Sequence, residues 1–361
     1  MKSYDIVCVV SNDIAYDRRM IRTCQTLSEA GKKVLLLGRV IEGRNYEDNF
    51  IFDTHRLLCR HNSGPRFYKE ILEKAHSFLN QISYDDLLLT DYDTILLARL
   101  QRSKAQRIFL DLHEYFEYTP ELLGKPLKKS IWKVAAHIGQ AKCDIVYTVN
   151  QSLANLYSKR FDRDVQVIRN VPRKLDHRNV SLIDPSSVLQ TVYLGALNPG
   201  RGLEEIIAAV QQRKDVHLTI IGDGPLQNDL KGLVEGTEIV TFCGMLQPQD
   251  ISGYLLGKDL GWNLLNKNSK SYYYSLANKF FDYVHHDVPV LTMDFPEYRN
   301  ILEKYECGTS IAEMSVDAIL SQLDRIADHS QHLQKWKSNC ALVAEEYNWQ
   351  RESQKLLSLF T

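Results

Sequence analysis

The sequence predicts an α/β protein with two doubly wound domains in tandem, each a parallel sheet covered by helices on both faces. Short apolar runs alternate with amphipathic helical stretches along the chain, which is typical of strands buried on both sides. The 361 residues exceed the usual size of a single core, so two domains of about 170 residues each are expected. A polar segment near the middle interrupts the alternation.

The apolar runs predict the strands in chain order. In the first domain they are Asp5–Val10, Lys33–Leu37, Leu87–Leu89, Ile108–Leu112, Ile145–Val149 and Val165–Ile168. In the second domain they are Thr191–Leu194, Leu218–Ile221, Ile239–Phe242, Leu260–Leu264 and Val290–Thr292. Between the two sets, Val171–Ser187 contains Pro172 and Pro185 and predicts a linker. We therefore expect domains at 1–172 and 188–347, joined by residues 173–187.

Helical periodicity fills the intervals between the strands. The predicted helices of the first domain are Arg18–Ala30, Tyr68–Asn80, Asp93–Arg102, Leu127–Lys142 and Ser152–Arg160. Those of the second domain are Leu203–Gln212, Leu226–Glu235, Pro248–Leu256 and Lys279–His286. In doubly wound folds ligands bind beyond the carboxyl ends of the strands, and with two domains the cleft between them is the expected site.

Composition and charge exclude several classes of protein. The formal net charge of −1 argues against a nucleic-acid partner, since such binding depends on a basic surface. The seven cysteines are scattered and never form a CxxC pair, so no zinc or disulfide framework is expected. The N-terminus leads straight into a strand, and no apolar run reaches the roughly 18 residues of a membrane span. A cytoplasmic protein is expected.

The segment from Tyr272 to Gly308 carries the strongest site signal. Ser275, Leu276, Ala277 and Asn278 form a turn before the helix that begins at Lys279. A helix start offers unpaired backbone N–H groups to an anion such as a diphosphate, and Lys279 adds a positive charge there. Asp282 is placed to accept hydrogen bonds from a ribose. The same residues also fit an ordinary capped helix.

Two glycine-containing loops follow strands of the second domain. Gly195 to Gly202 includes Arg201, which can make a bidentate contact with a phosphate. Gly222 and Gly224 end the next strand, where their backbone can approach a base or ribose. Plain tight turns explain both loops equally well.

Polar residues also follow two strands of the first domain. His113 and Glu114 come directly after Ile108–Leu112, and imidazole can hydrogen bond a sugar hydroxyl or a developing phosphate charge at neutral pH. A loop-capping histidine is the other interpretation. Asp17 reads as a helix cap or a ligand contact, and Arg19 is a further cleft candidate.

Residues 124–142 form a basic amphipathic segment that contains Trp132. It fits peripheral contact with anionic lipid, with Trp132 at the interface. It also fits a helix whose apolar face packs on the sheet while its lysines point to solvent.

Taken in order, these motifs resemble the retaining GT-B glycosyltransferases of family 4, of the group 1 type. The resemblance covers nearly the whole chain. Its motifs are DRRM (17–20), DLHEYFE (111–117), VIRNVPR (167–173), YLG to RG (193–202), IIGDGP (220–225), FCGML (242–246) and SLANKFFDYVHHDVPVLT (275–292). The residues near 348–361 resemble the terminal helix that packs back on the first domain. The fold implied is GT-B, two Rossmann-like domains that face a cleft.

The resemblance implies a role for each candidate residue. Arg201 and Lys279 would bind the donor diphosphate, with His113 at the transferred sugar as the third catalytic residue. The amides of Ser275 to Asn278 would hold the distal phosphate, Asp282 the ribose, and Gly195, Gly202, Gly222 and Gly224 the rest of the donor. Asp17, Arg19 and Glu114 fall on the acceptor side. Fixed positive groups and amides would stabilise the leaving diphosphate, so neither a metal nor a resident cofactor is expected.

The chain departs from the family pattern at three places. Tyr274 replaces the first of two carboxylates usually eight positions apart, Ala196 replaces an arginine, and no glycine-rich loop follows the first strand.

The leading functional prediction is therefore hexose transfer from a nucleotide-diphosphate sugar to a glycan or lipid-linked acceptor in cell-surface polysaccharide synthesis. The alternative is a non-catalytic GT-B partner subunit that binds nucleotide or glycan. A nicotinamide dehydrogenase is disfavoured because GxGxxG is missing after the first strand, and a sugar-nucleotide epimerase would need a different set of acids and bases.

Overall fold

The structure is a computed structural model that describes residues 2–15, 17–41, 49–175, 188–247, 250–328 and 330–361. The chain forms two compact units: unit 1 is Met1–Asn170 with Glu352–Thr361, and unit 2 is Val171–Arg351. The division falls close to the predicted boundary at 172. Most of the predicted linker, residues 176–187, lies outside the described residues.

Unit 1 contains a parallel sheet. Its strands are β1 (Ser3–Asp13), β2 (Val34–Val40), β3 (Asp53–Leu58), β4 (Ser83–Thr90), β5 (Arg107–Leu112), β6 (Ile145–Thr148) and β7 (Gln166–Val167). Their spatial order is β3-β2-β1-β4-β5-β6-β7. The strand order reverses between β1 and β4, so the carboxyl ends of these two strands form the topological switch point where ligands bind in such sheets.

Helices connect the strands of unit 1. They are α1 (Arg18–Glu29), α2 (Gly64–Leu79), α3 (Asp91–Thr94), α4 (Leu97–Gln101), α5 (Pro126–Gln140) and α6 (Gln151–Phe161). The prediction of a single helix at Asp93–Arg102 is wrong, because the helix is interrupted between α3 and α4. A side chain at Gly139 of α5 would lie 2.6 Å from the Ile95 carbonyl oxygen, so α5 packs directly on the backbone at this break.

Unit 2 repeats the architecture. Its strands are β8 (Leu189–Leu194), β9 (Val216–Ile221), β10 (Val240–Gly244), β11 (Leu260–Asn263), β12 (Val290–Met293) and β13 (Gly308–Ile311), all parallel, in the order β10-β9-β8-β11-β12-β13. The switch point of this sheet lies at the carboxyl ends of β8 and β11.

The helices of unit 2 follow the same alternation. They are α7 (Leu203–Val210), α8 (Gln227–Leu233), α9 (Ile251–Leu255), α10 (Lys270–Tyr273), α11 (Asn278–Val284), α12 (Pro296–Tyr305), α13 (Val316–Asp328) and α14 (Ser330–Glu346). The final helix, α15 (Trp349–Leu359), begins in unit 2 and ends in unit 1. The predicted start of α9 at Pro248 lies outside the described residues.

Both sheets bury continuous apolar runs. Val7, Cys8, Leu88 and Leu110 are fully buried in unit 1, and Val192, Leu218 and Val290 are fully buried in unit 2. The prediction of two doubly wound parallel sheets is confirmed. Two strands at sheet edges, β3 and β13, have no counterpart among the predicted strands. Most of their residues are only partly buried, which leaves no continuous apolar run in the sequence.

Candidate functional site

Two loops of unit 2 meet backbone to backbone at the carboxyl ends of β8 and β9. The Gly195 N–H donates to the Ile221 carbonyl at 2.9 Å, and a Cβ at Gly222 would lie 1.9 Å from the Gly195 carbonyl oxygen. A Cβ at Gly224 would lie 2.6 Å from the Leu197 carbonyl oxygen. Gly222 and Gly224 are thus required by contacts of the protein with itself, which favours the tight-turn interpretation left open above.

Arg201 and Lys279 converge over the first of these loops. A Cβ built on Gly195 would lie 3.5 Å from Lys279 Nζ and 3.8 Å from Arg201 Nη1. Because Gly195 has no side chain, its backbone leaves an open surface, called the Gly195 floor below, between two cations from separate elements. Gly202, which begins α7 with a φ of 70°, aligns the loop that carries Arg201.

The ammonium group of Lys279 is buried without an acceptor. Only 6% of the residue is exposed, and within the described part of the chain Nζ has no hydrogen-bond partner. It lies 3.7 Å from the centroid of the Tyr193 ring, a cation–π distance. Burial and the neighbouring Arg201 hold the pKa of Lys279 well below its usual value. A buried, unpaired cation beside a second cation is a site that an anion would stabilise.

Tyrosines fix the helix that carries Lys279. The Tyr283 hydroxyl accepts the Leu194 N–H at 2.7 Å and thereby ties α11 to β8. The Tyr298 hydroxyl accepts the Ala277 N–H at 2.9 Å. The Ala277 amide, predicted to bind the distal phosphate, thus already has a partner in the protein.

The other predicted donor residues surround the start of α11. Ser275 closes the turn, since both its N–H and its hydroxyl donate to the Tyr272 carbonyl, at 3.0 and 2.8 Å. Leu276 is buried and Asn278 is exposed. Asp282 is 7% exposed and lies one turn into α11. The two departures from the family pattern also border this region: Ala196 is exposed and Tyr274 is partly buried.

In unit 1, His113 lies between two carboxylates at the end of β5. Its Nδ1 is 3.3 Å from Asp91 Oδ2, and its Nε2 is 3.2 Å from Asp111 Oδ2. The His113 N–H also donates to Asp91 Oδ1 at 2.8 Å. Burial acts to lower the pKa of His113, but Asp91 and Asp111 outweigh it and raise that pKa to about 9. The side chain is therefore an imidazolium at neutral pH, and both of its ring nitrogens face carboxylates of the protein.

Arg19 holds the inner carboxylate of this cluster. Its Nε and Nη2 donate to the two oxygens of Asp111 at 2.8 and 2.5 Å, a buried bidentate pair. Arg19 is only 5% exposed, so it orients Asp111 and, through Asp111, His113. Burial acts to raise the pKa of Asp111, but Arg19 and His113 outweigh it and hold that pKa below its usual value.

Two further acceptor-side candidates have structural roles. The Asp17 carboxylate accepts the Met20 N–H at 3.0 Å, which makes Asp17 the N-cap of α1. Glu114 is exposed, and its backbone carbonyl accepts the Tyr157 hydroxyl. Their predicted acceptor contacts remain predictions.

Asp91 and Asp93 are site residues that the sequence interpretation missed. Asp91 follows β4 with a φ of 57°, a strained conformation for a residue with a side chain, and Asp93 accepts a hydrogen bond from Ser11 at the end of β1. Burial raises the pKa of Asp91 to about 6 and that of Asp93 to about 7. The signal was the pair of acids in TDYD, directly after an apolar strand at the switch point.

The lipid contact predicted for residues 124–142 stays a prediction, but the structure shows which side of α5 packs on the protein. Its buried side is Ala135, Ala136, Gly139 and Gln140, whereas Leu127, Ile131 and Val134 are exposed. Trp132 is partly buried against Tyr68 and Phe116 and is not the exposed interfacial residue expected. Among the residues the structure describes, no helix is long and apolar enough to cross a membrane.

A family model matches most of unit 2 by sequence. Residues 185–342 match the family model described as glycosyl transferases group 1. No curated protein matches the chain by sequence.

Solved structures of similar fold cover both units of the chain. Sucrose-phosphate synthase from Thermosynechococcus elongatus has a TM-score of 0.78 at 14% identity, with 100% of this chain and 98% of that chain covered. HepE from Anabaena in complex with UDP-glucose has a TM-score of 0.71 at 12% identity, covering 99% of each chain. The lipopolysaccharide outer core galactosyltransferase WaaB has a TM-score of 0.68 at 11% identity, covering 100% and 99%. The fold is GT-B.

Proposed function

We propose that this protein is a retaining family 4 glycosyltransferase that transfers a hexose from a nucleotide-diphosphate sugar to a glycan or lipid-linked acceptor of cell-surface polysaccharide synthesis. The observation that carries the proposal is the buried, unpaired ammonium of Lys279 next to Arg201 above the open floor at Gly195. A diphosphate supplies the anion that this pair lacks. The similar structure of HepE with UDP-glucose supports a nucleotide-sugar donor.

Each residue of the site has a separate role in the proposed transfer. Arg201 and Lys279 neutralise the charge that builds on the diphosphate as the bond to the sugar breaks. The acceptor hydroxyl attacks from the face that the diphosphate leaves, and its proton passes to the departing phosphate. The positively charged side chain of His113 contacts the transferred hexose. None of these roles requires a metal, so activity without a divalent cation is part of the proposal.

The first test is a thermal-shift panel of UDP, GDP, ADP, CMP and their sugar conjugates, with and without magnesium. A ligand at about 100 times its Kd should stabilise the fold by about 2.7 kcal/mol. A shift with one nucleotide fixes the donor base. If none shifts the melting temperature, the proposal fails as stated.

Point variants then locate the nucleotide. Lys279→Met keeps the side-chain volume and removes the buried charge, so the free protein should stay folded while the nucleotide-induced shift is lost. Lys279→Met and Arg201→Ala should each reduce kcat/KM on the order of 100-fold. Lys270→Met, on the exposed face of α10, is the matched control and should leave both readouts unchanged. Wild-type rates in both site variants would contradict the assignment.

A non-catalytic GT-B subunit that binds nucleotide or glycan is the second candidate, and Tyr274 and Ala196 are the observations that favour it. It predicts a nucleotide-induced shift without consumption of any donor. Slow hydrolysis of a nucleotide sugar, lost in Lys279→Met, would rule it out.

A further inference from the structure

Unit 1 contains a cavity of about 580 Å³ between α2 and α5. This volume lies in the range of small-molecule sites, roughly 300–1,000 Å³. Apolar and aromatic side chains form most of its wall: Tyr68, Leu72, Tyr92, Leu96, Leu122 and Trp132. None of the donor residues in unit 2 lines it, so it is separate from the site proposed for the nucleotide.

The aromatic wall of the cavity is held in place from behind. Trp132 contacts the edges of Tyr68 and Phe116, with ring centroids 4.8 and 5.0 Å away, and Tyr92 stacks on Phe116 at 4.9 Å. Such packed rings offer a preformed apolar surface. Burial of each methylene group against it would strengthen binding about fourfold.

The mouth of the cavity opens through an exposed apolar stripe on α5. Ile131 lines the cavity and is nevertheless 61% exposed, and Leu127 and Val134 are 76% and 59% exposed. Their i, i+4, i+7 spacing puts all three on one side of the helix, opposite buried Ala136. A stripe of large exposed apolar residues that leads into an apolar cavity marks a surface for a hydrophobic partner.

Lysines surround the same mouth. Lys69, Lys125 and Lys128 line the cavity, and α5 also carries Lys129 and Lys133 but no acidic residue. Two acids line the cavity as well: Glu121 is exposed, and Asp93 accepts a hydrogen bond from Ser11. An apolar interior with a positive rim complements a molecule that has a hydrocarbon chain and an anionic head.

We infer that the cavity between α2 and α5 binds the hydrocarbon chain of a phosphate-bearing lipid, whose phosphate contacts Lys69, Lys125 and Lys128 at the mouth. The identification of this lipid as the acceptor rests on the proposed function. The binding site itself rests only on the contacts in unit 1. The exposed stripe of Leu127, Ile131 and Val134 then faces the membrane that supplies the lipid.

The test is calorimetric titration of the full chain with decyl phosphate below its micelle concentration, with decanol and inorganic phosphate as separate probes of chain and head. Decyl phosphate should saturate a single site. Decanol should bind more weakly at the same site, and inorganic phosphate should not compete measurably. Absence of saturable binding would overturn the inference.

Three variants connect that binding to the cavity. Ala135→Leu adds bulk inside the cavity and should weaken decyl phosphate binding about tenfold, the equivalent of roughly two methylene groups displaced. Ile131→Gln, at the exposed mouth, should also weaken it and serves as the cavity variant if Ala135→Leu fails to fold. Lys125→Gln with Lys128→Gln should weaken decyl phosphate but not decanol. Lys142→Gln, exposed beyond the end of α5, is the matched control.

Vesicle flotation separates this site from simple surface attachment. Wild type should float with vesicles that contain phosphatidylglycerol and less with phosphatidylcholine alone. If wild type floats but decyl phosphate binds wild type and Ala135→Leu equally, α5 is only a surface contact and the cavity assignment is wrong. A nucleotide-induced thermal shift without a decyl phosphate site defeats this inference alone, whereas the reverse result defeats the proposed function alone.

Discussion

At the scale of single residues, the charge of His113 depends on Asp111, two residues away, and on Asp91, which follows a different strand. The strand-end position of His113 was visible in the sequence, and so was its proximity to Asp111. Its contact with Asp91 depends on β4 and β5 being neighbours in the sheet, which no local pattern reports. Sequence therefore predicts the residue and its chemistry but not its protonation state.

The raised pKa of His113 predicts a pH-dependent contribution to stability. Its folded value of about 9 exceeds the ordinary value of 6.5, so the stabilisation is complete below pH 6.5 and is lost as the pH rises through about 9. His113→Gln should therefore lower the free energy of unfolding on the order of 2 kcal/mol near pH 6 and much less near pH 10. Urea unfolding at both pH values measures this difference.

Turnover provides an independent readout of His113. His113→Gln should reduce kcat more than it changes nucleotide affinity, because the nucleotide-binding residues proposed here belong to unit 2. A stability gap that is the same at both pH values would contradict the charged imidazolium.

At the scale of elements, long interior strands and helices were predictable, whereas edges and breaks were not. The predicted run Asp5–Val10 lies inside β1, but β3 presents mainly half-buried side chains and gives no apolar signal. The break between α3 and α4 lies where Gly139 of α5, far along the chain, packs against the Ile95 carbonyl oxygen. Sequence patterns report burial on the chain's own element, and these features depend on a partner element.

Gly222 tests how tightly the two loops of unit 2 are packed. Its φ of 140° and the 1.9 Å separation between a built Cβ and the Gly195 carbonyl oxygen leave no space for a side chain. Gly222→Ala should cost on the order of 3 kcal/mol in unfolding free energy and weaken nucleotide binding by shifting the Gly195 floor.

Gly232 provides the matched control for that substitution. It lies within α8, and a Cβ built there meets nothing within 4 Å. Gly232→Ala should stabilise the fold by about 0.5–1 kcal/mol, because alanine favours a helix interior. Urea unfolding measures both effects. If they are equal, the backbone around Gly222 and the Gly195 carbonyl can shift to make room for a side chain at little cost in free energy.

At the scale of the whole molecule, the two sheets follow from the alternation of apolar runs, but the completion of unit 1 depends on residues 352–361. Phe360 is 2% exposed and stacks on Phe109 of β5 with ring centroids 4.1 Å apart. Arg107 donates to the carbonyls of Leu359 and Phe360 at 3.4 and 3.3 Å. The sequence suggested this return of the chain only through a family resemblance, because the contacts join residues some 250 positions apart.

Removal of the Phe360 ring should therefore destabilise unit 1. Phe360→Ala is expected to cost about 3–5 kcal/mol in the free energy of unfolding, as for other buried aromatic residues. Thr361→Ala, at an exposed neighbour, should change it by no more than about 0.5 kcal/mol. Calorimetry of both variants checks the difference, and a wild-type melting profile for Phe360→Ala would show that the terminal segment does not complete the core.

The same division of the chain sets the order in which the two units become complete during synthesis. Most of unit 1 is made before unit 2, yet the core of unit 1 still lacks Phe360 when unit 2 is complete at Arg351. During synthesis domains usually fold as units, the N-terminal one first, while the chain grows at about 5–20 residues per second. Unit 2 can therefore fold first, and the apolar surface of β5 lacks its contact with Phe360 throughout translation of unit 2. A chaperone that binds the exposed apolar surface of the nascent chain would therefore bind unit 1.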